Sequence, residues 1–141
     1  MKIISVANRK GGVGKTINIA TALSAIGRKV LVIDFDPQGN ATTSMGIAKQ
    51  KENYSSYDVL IGKCDVKEAV LHTDLPRFDM IPSSPDLAAA EIELVEVEKR
   101  EFVLKKALSN LTSVYDYVLI DCPPSLNLIT INALVSSDSV M

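Results

Sequence analysis

The chain has 141 residues, of which 47% are hydrophobic and 23% are charged, and its formal net charge is −2. This length and apolar content suit one domain with its own core, whereas the charge gives no overall electrostatic footprint for nucleic acid. The two cysteines form no CxxC pair, so the sequence predicts neither a zinc site nor a disulfide framework.

Short β-rich runs alternate with helical patterns along the chain, which predicts parallel βαβ units in an α/β fold. The expected strands are residues 3–7, 30–33, 78–81 and 117–120, with the start of another at 139–141. The expected helices are residues 17–26, 57–61, 66–71 and 126–134. Residues 30–33 are four consecutive apolar residues, which is typical of a strand buried on both faces.

Two stretches are less regular. Residues 35–57 are polar and rich in turn-forming residues, so no regular element is predicted before residue 57. After Pro85 a helical pattern leads into the charged run 96–101, which we expect to be a solvated helical face or a turn. A mainly apolar face then resumes at Phe102, Leu104, Leu108 and Leu111.

A glycine-rich loop separates the first strand from the first helix. Residues 9–16 read RKGGVGKT, and glycines let successive backbone N–H groups turn toward phosphate oxygens. Lys15 supplies a positive charge to the β- and γ-phosphates, and the Thr16 hydroxyl can ligate Mg²⁺. Arg9 replaces the first glycine of the usual GxxxxGK[ST] motif, and Ile17 excludes a GxGxxG dinucleotide motif. The predicted nucleotide-binding residues are Lys10, Gly11, Gly12, Val13, Gly14, Lys15, Thr16 and Ile17.

The KGGVGKT segment resembles the deviant Walker A motif of the ParA/MinD branch of P-loop ATPases. The resemblance implies a P-loop NTPase fold, a mainly parallel sheet flanked by helices, with ATP and Mg²⁺ as cofactors. It also implies that Lys10 reaches the partner's nucleotide in an ATP sandwich dimer, in a role like that of an arginine finger supplied in trans.

Two later blocks agree with this resemblance. Residues 30–40 read VLVIDFDPQGN and resemble the family's second acidic motif, and residues 117–125 read YVLIDCPPS and resemble Walker B. Asp34 and Asp36 are two apart at a strand end, so both side chains can project toward the same side. The resemblance implies that Asp36 orients or activates the attacking water, that Asp34 supports the Mg²⁺ environment, and that Asp121 binds Mg²⁺ through a water. The implied catalytic set is Lys10, Lys15 and Asp36, and the implied metal set is Thr16, Asp34 and Asp121.

The DPQGN turn favours the ParA/Soj group over the MinD group, and the resemblance covers the whole chain. Residues 1–141 are interpreted as the N-terminal part of a single P-loop ATPase domain, because members of the family continue further. The part beyond residue 141 would carry the base-contacting residues and the surface for non-specific DNA.

The leading hypothesis is a switch ATPase for chromosome or plasmid partitioning, which forms an ATP-dependent homodimer on the nucleoid and is stimulated by a ParB-type partner. The alternative is a truncated module that binds nucleotide without hydrolysing it, or a decoy partner of a complete homologue. An iron–sulfur carrier of the same superfamily would need paired cysteines, and Cys64 and Cys122 are far apart in the sequence. A cytoplasmic protein without a membrane partner is expected, because no signal peptide and no span of ~20 apolar residues is visible.

Overall fold

A computed structural model describes residues 1–7, 14–47, 53–111 and 114–141. Six strands of this part of the chain form one sheet, in the order β3-β4-β2-β5-β1-β6. The strands are β1 (Lys2–Ala7), β2 (Val30–Asp34), β3 (Leu71–His72), β4 (Phe78–Ile81), β5 (Tyr117–Cys122) and β6 (Ser139–Val140). All neighbouring strands are parallel except β3 and β4. The expected mainly parallel sheet is therefore confirmed.

Helices connect the strands and cover both faces of the sheet. They are α1 (Lys15–Ala25), α2 (Asn40–Ser44), α3 (Ser56–Leu60), α4 (Leu87–Glu93), α5 (Val103–Leu108) and α6 (Leu128–Ser136). Short 3₁₀ helices occupy Val66–Ala69 and Arg100–Phe102. Within the described residues, none of these helices combines the length and apolar character that a membrane crossing requires.

Strand β2 shows why a run of apolar residues is needed at the centre of the sheet. Val30 and Val32 belong to a core shared with α1 and α2 on one face. Leu31 and Ile33 belong to a larger core on the other face. Successive side chains of a strand point to opposite faces, so only a strand buried on both sides needs a continuous apolar sequence.

The structure corrects three expected elements. Helix α2 lies in the segment expected to be irregular, and it is held there by Thr42, whose backbone and side chain both bond to Asp34. Residues 66–71 are not one helix, since a 3₁₀ helix ends at Ala69 and Leu71 pairs with Met80 in the sheet. Helix α6 begins after Asn127, whose side chain accepts a hydrogen bond from the Thr130 N–H, rather than at Pro124 and Ser125.

The segment around residues 96–102 is only partly as expected. Residues 96–100 of the charged run are exposed and Glu101 is half-buried, and the run consists of turns leading into the 3₁₀ helix Arg100–Phe102, which agrees with a solvated turn. Leu104, Leu108 and Leu111 are buried, but the Phe102 side chain remains 46% exposed. Phe102 is therefore not part of the core, although its apolar character placed it there.

Candidate functional site

The predicted site residues that the structure describes meet at the carboxyl edge of three central strands, β1, β2 and β5. Asp34 ends β2 and lies beside Asp121 of β5 in the sheet register, and Asp121 also pairs with Val6 of β1. Parallel strands place all their carboxyl ends on one edge, where ligand sites of open α/β sheets form. Helix α1 begins at the same edge, which brings residues from three separate parts of the sequence together.

The first turn of α1 is built to face an anion. Gly14 has φ 86°, in the left-handed region that favours glycine, and its carbonyl accepts the Asn18 N–H at 2.8 Å. Because Gly14 caps the helix, the N–H groups of Lys15, Thr16 and Ile17 have no acceptor within the helix itself. These donors and the positive end of the helix dipole favour a phosphate group at this position.

Thr16 and Asp121 form the direct link between α1 and the sheet edge. The Thr16 hydroxyl donates to Oδ1 of Asp121 at 2.5 Å, and both side chains are buried. A hydroxyl has one proton and two lone pairs, so donating to Asp121 leaves its lone pairs available to a cation. The pair therefore combines a hydroxyl ligand with a carboxylate that can hold a metal-bound water.

Asp34 is buried and accepts three hydrogen bonds. Its Oδ2 accepts the N–H and the hydroxyl of Thr42 at 2.8 and 2.6 Å, and its Oδ1 accepts the Asp36 N–H at 3.2 Å. Burial raises the pKa of Asp34 to about 6 and the adjacent Asp121 adds to the rise, while the bonds from Thr42 and Asp36 oppose it. The carboxylate thus anchors the segment that follows β2.

Asp36 lies two residues beyond the end of β2, in a tight turn. Its Oδ1 accepts the Gln38 N–H at 3.0 Å, and its carbonyl accepts the Gly39 N–H at 2.9 Å. Only 6% of the residue is exposed. The turn holds the carboxylate at the same edge of the sheet as Asp34.

The structure describes only some of the remaining predicted site residues. Lys10, Gly11, Gly12 and Val13 lie outside the described residues, so their predicted roles stay predictions. Lys15 is exposed at the start of α1, whereas the Ile17 side chain packs against the core on the α1 face. Any nucleotide contact from Ile17 would therefore come from its backbone N–H.

No group of three or more His, Cys, Asp or Glu residues that could hold a metal ion occurs in the described part of the chain. Such a cage is unnecessary for Mg²⁺, which keeps several waters and binds through one or two protein groups together with substrate phosphates. Thr16 and Asp121 fit that pattern of ligands. The donor set therefore suits Mg²⁺ bound with a phosphate ester rather than a metal held by protein alone.

Sequence reasoning missed Thr42, Ser83 and Ser56, which support the site. Ser56 donates its hydroxyl to the Asp34 carbonyl at 2.7 Å, and Ser83 donates to the Asp36 carbonyl at 2.5 Å. None of these residues belongs to a motif. Thr42 reaches the site through α2, Ser83 through the pairing of β2 with β4, and Ser56 through the packing of α3.

The two cysteines are structural. Cys122 is buried in the larger core and Cys64 packs against the same core. Burial raises the pKa of both thiols, to about 12 for Cys122 and about 11 for Cys64. High pKa values disfavour the thiolate that metal or iron–sulfur ligation requires.

Comparison with known proteins agrees with this geometry. Residues 1–141 match the model of a family described as an AAA domain. The sporulation initiation inhibitor protein Soj of Bacillus subtilis is 50% identical over 143 residues, which cover 99% of this chain and 56% of that protein. The chromosome partitioning protein ParA of Caulobacter vibrioides is 47% identical over 145 residues, covering 99% of this chain and 54% of that protein.

A similar solved structure is that of cobyrinic acid a,c-diamide synthase from Mycobacterium smegmatis with a bound ATP analogue and magnesium. It matches with a TM-score of 0.91 at 41% identity, covering 99% of this chain and 58% of that one. The chain thus spans about half the length of the curated relatives it matches.

Proposed function

We propose that this chain, which belongs to the family described as an AAA domain, is of the ParA/Soj type of partition ATPases and binds ATP with Mg²⁺ at the N-terminal end of α1. The observation that carries the proposal is the hydrogen bond from the Thr16 hydroxyl to Asp121. It joins the first turn of the helix to the end of β5, which is where a metal-bound phosphate would lie.

The phosphates would be held mainly by α1. The backbone N–H groups of its first turn point out of the helix, and Lys15 adds a full positive charge at its first residue. We propose that Gly11, Gly12, Val13 and Gly14 complete the cradle with their own N–H groups. A mixed cradle of backbone donors and one lysine recognises the charge and shape of a triphosphate rather than its base.

The Mg²⁺ would be held by the Thr16 hydroxyl directly and by Asp121 through a water. When bound, the ion neutralises charge on the phosphate oxygens. Asp34 would support the metal site without binding the ion itself, since its oxygens already accept hydrogen bonds from Thr42 and Asp36. Its proposed contribution to the metal environment is therefore electrostatic and structural.

For hydrolysis, we propose that Asp36 orients the attacking water and that Lys10 reaches the nucleotide of the partner in a homodimer. The names of a chromosome partitioning relative and of a similar plasmid partition structure support the proposal that this ATPase moves or positions chromosome or plasmid DNA. We further propose that a ParB-type partner stimulates hydrolysis. Residues 1–141 would form part of one P-loop ATPase domain, and DNA contact would come from further residues in the longer protein. The protein would act in the cytoplasm, at the nucleoid.

Substitution of Thr16 tests the proposed metal ligand. Thr16→Ala should lower ATP affinity measured with Mg²⁺ to nearly the value measured with EDTA, because the substitution removes one ligand of the ion. Thr21→Ala is the matched control, since Thr21 is exposed on the same helix. Calorimetric titration with ATP measures both affinities. If Mg²⁺ raises the ATP affinity of Thr16→Ala as much as that of wild type, Thr16 is not a ligand of the ion.

A further inference from the structure

We propose that Thr42 and Ser83 are positioning residues for the reaction, and that together they hold Asp36 by linking its backbone to the carboxylate of Asp34. The inference rests on the proposed function, in which Asp36 orients the attacking water. It concerns two residues that belong to neither the phosphate loop nor the acidic motifs. Their contacts form a continuous chain of hydrogen bonds between the ends of β2 and β4.

The chain of bonds begins at Asp34 and Thr42. Thr42 donates both its N–H and its hydroxyl proton to Oδ2 of Asp34, at 2.8 and 2.6 Å. The two bonds hold the middle of α2 against the end of β2, although Asp34 and Thr42 are eight residues apart in sequence. Hydrogen bonds to a carboxylate are stronger than those between neutral groups, so the contact of Thr42 with Asp34 is the strongest in this series of hydrogen bonds.

The Thr42 hydroxyl also accepts the N–H of Ser83 at 3.0 Å. Because its own proton is committed to Asp34, the Thr42 oxygen can only accept at this second contact. Ser83 in turn donates its hydroxyl proton to the Asp36 carbonyl at 2.5 Å. Ser83 therefore donates to both neighbours, to the Asp36 carbonyl through its hydroxyl and to the Thr42 oxygen through its N–H, and Thr42 donates in turn to the Asp34 carboxylate.

All four residues are buried, so water cannot replace a missing partner at low cost. Their exposed fractions are 0% for Asp34, 4% for Thr42, and 6% for Asp36 and Ser83. Hydrogen bonds in such an environment are stronger than in water, and an unpaired polar group is correspondingly costly. The network is thus rigid as long as every member is present.

The position of Asp36 depends on this network as well as on its own turn. The bonds to Gln38 and Gly39 fix the shape of the turn, while the bond from Ser83 fixes the turn to the segment that follows β4. Gly39 lies beside Ser83 in this turn, and its φ of 67° is in the left-handed region that favours glycine. Since a misplacement of ~1 Å can cost about 10²-fold in rate, loss of the network should slow hydrolysis more than it weakens binding.

Thr42→Val tests the inference, because it removes the hydroxyl and keeps the branched shape and the backbone N–H. We expect single-turnover hydrolysis to fall by roughly 10- to 100-fold while the dissociation constant of ATP with Mg²⁺ stays within about 3-fold. Thr42→Ser should recover most of the rate, since it restores the hydroxyl. Thr43→Val is the matched control on the exposed side of the same helix and should behave as wild type.

A second measurement does not depend on turnover. Amide hydrogen exchange at Gly39, whose N–H bonds to Asp36, should be faster in Thr42→Val than in Thr43→Val when nucleotide is bound. Ser83→Ala removes one hydroxyl further along the chain of bonds and should give the same pattern, which keeps the test open if Thr42→Val does not fold.

The possible results separate the inference from the function on which it rests. A wild-type chain that does not bind ATP overturns the proposed function. If wild type binds ATP, unchanged rate and exchange in Thr42→Val and Ser83→Ala overturn the inference, and so does a parallel loss of binding and rate. If wild type binds without hydrolysing, exchange at Gly39 decides alone.

Discussion

At the scale of single residues, Asp36 is the side chain with the most specific proposed task. Asp36→Ala should retain binding of ATP with Mg²⁺, because the phosphates are held by α1, but should reduce hydrolysis by roughly 10²–10⁴-fold, the usual contribution of a general base. Single-turnover measurement of phosphate release tests this, with the exposed Asp74→Ala as control. A wild-type rate in Asp36→Ala would assign the positioning of water to another group.

The same scale shows what the sequence can and cannot predict about the site. Thr16 and Asp121 could be predicted because each follows a recognisable motif, and the parallel sheet brings the two motifs to one edge. Ser83 and Thr42 could not, because they are 41 positions apart and meet only through the pairing of β2 with β4. Side chains that support a site through tertiary contacts leave no local pattern.

At the scale of elements, strands were easier to predict than short helices. Strands β2 and β5 are apolar because both of their faces are buried, so their burial can be predicted from their sequence alone. Helix α2 has five residues, too few for intrinsic helical stability, and it depends on Asp34 and on the buried Ala41. Its sequence therefore resembles that of a loop.

The contact between α6 and α5 is another case in which one buried polar residue organises elements. Asn132 is fully buried, accepts the Leu104 N–H at 3.1 Å, and donates to the carbonyls of Arg100 and Leu128, each at 2.9 Å. Asn132→Leu should lower the free energy of unfolding by about 1–3 kcal/mol for each buried partner left unpaired.

Urea unfolding of Asn132→Leu beside Asn110→Leu checks this prediction. Asn110 is exposed, so its substitution should change the free energy of unfolding by less than ~0.5 kcal/mol. Equal stability of the two variants would mean that the Asn132 bonds do not hold α6 to the segment around Arg100.

At the scale of the whole molecule, two modes of self-association can be distinguished. In the sheet formed by the described residues, β6 is an edge strand and Val140 is 54% exposed, and residues 1–141 on their own can therefore pair with another chain along this edge. The proposed ATP sandwich is a different contact, since it would use the nucleotide and Lys10. Edge pairing should not depend on nucleotide.

Lys10→Ala separates these modes. The substitution should abolish ATP-dependent dimerisation and leave binding of ATP by the monomer largely intact, because the lysine is proposed to contact the partner's phosphates. Light scattering with and without a slowly hydrolysed ATP analogue measures this, with the exposed Lys63→Ala as control. Wild-type dimerisation of Lys10→Ala would contradict the proposed role in trans.

Substitution of Lys15 tests most directly whether the N-terminal end of α1 binds the phosphates of ATP. Calorimetric titration with ATP and Mg²⁺ should show affinity reduced roughly 10- to 100-fold in Lys15→Ala, since a hydrogen bond to a charged group contributes ~1.5–3 kcal/mol. The exposed Lys105→Ala should bind as wild type does. Unchanged affinity in Lys15→Ala would contradict the assignment of this helix end as the phosphate site.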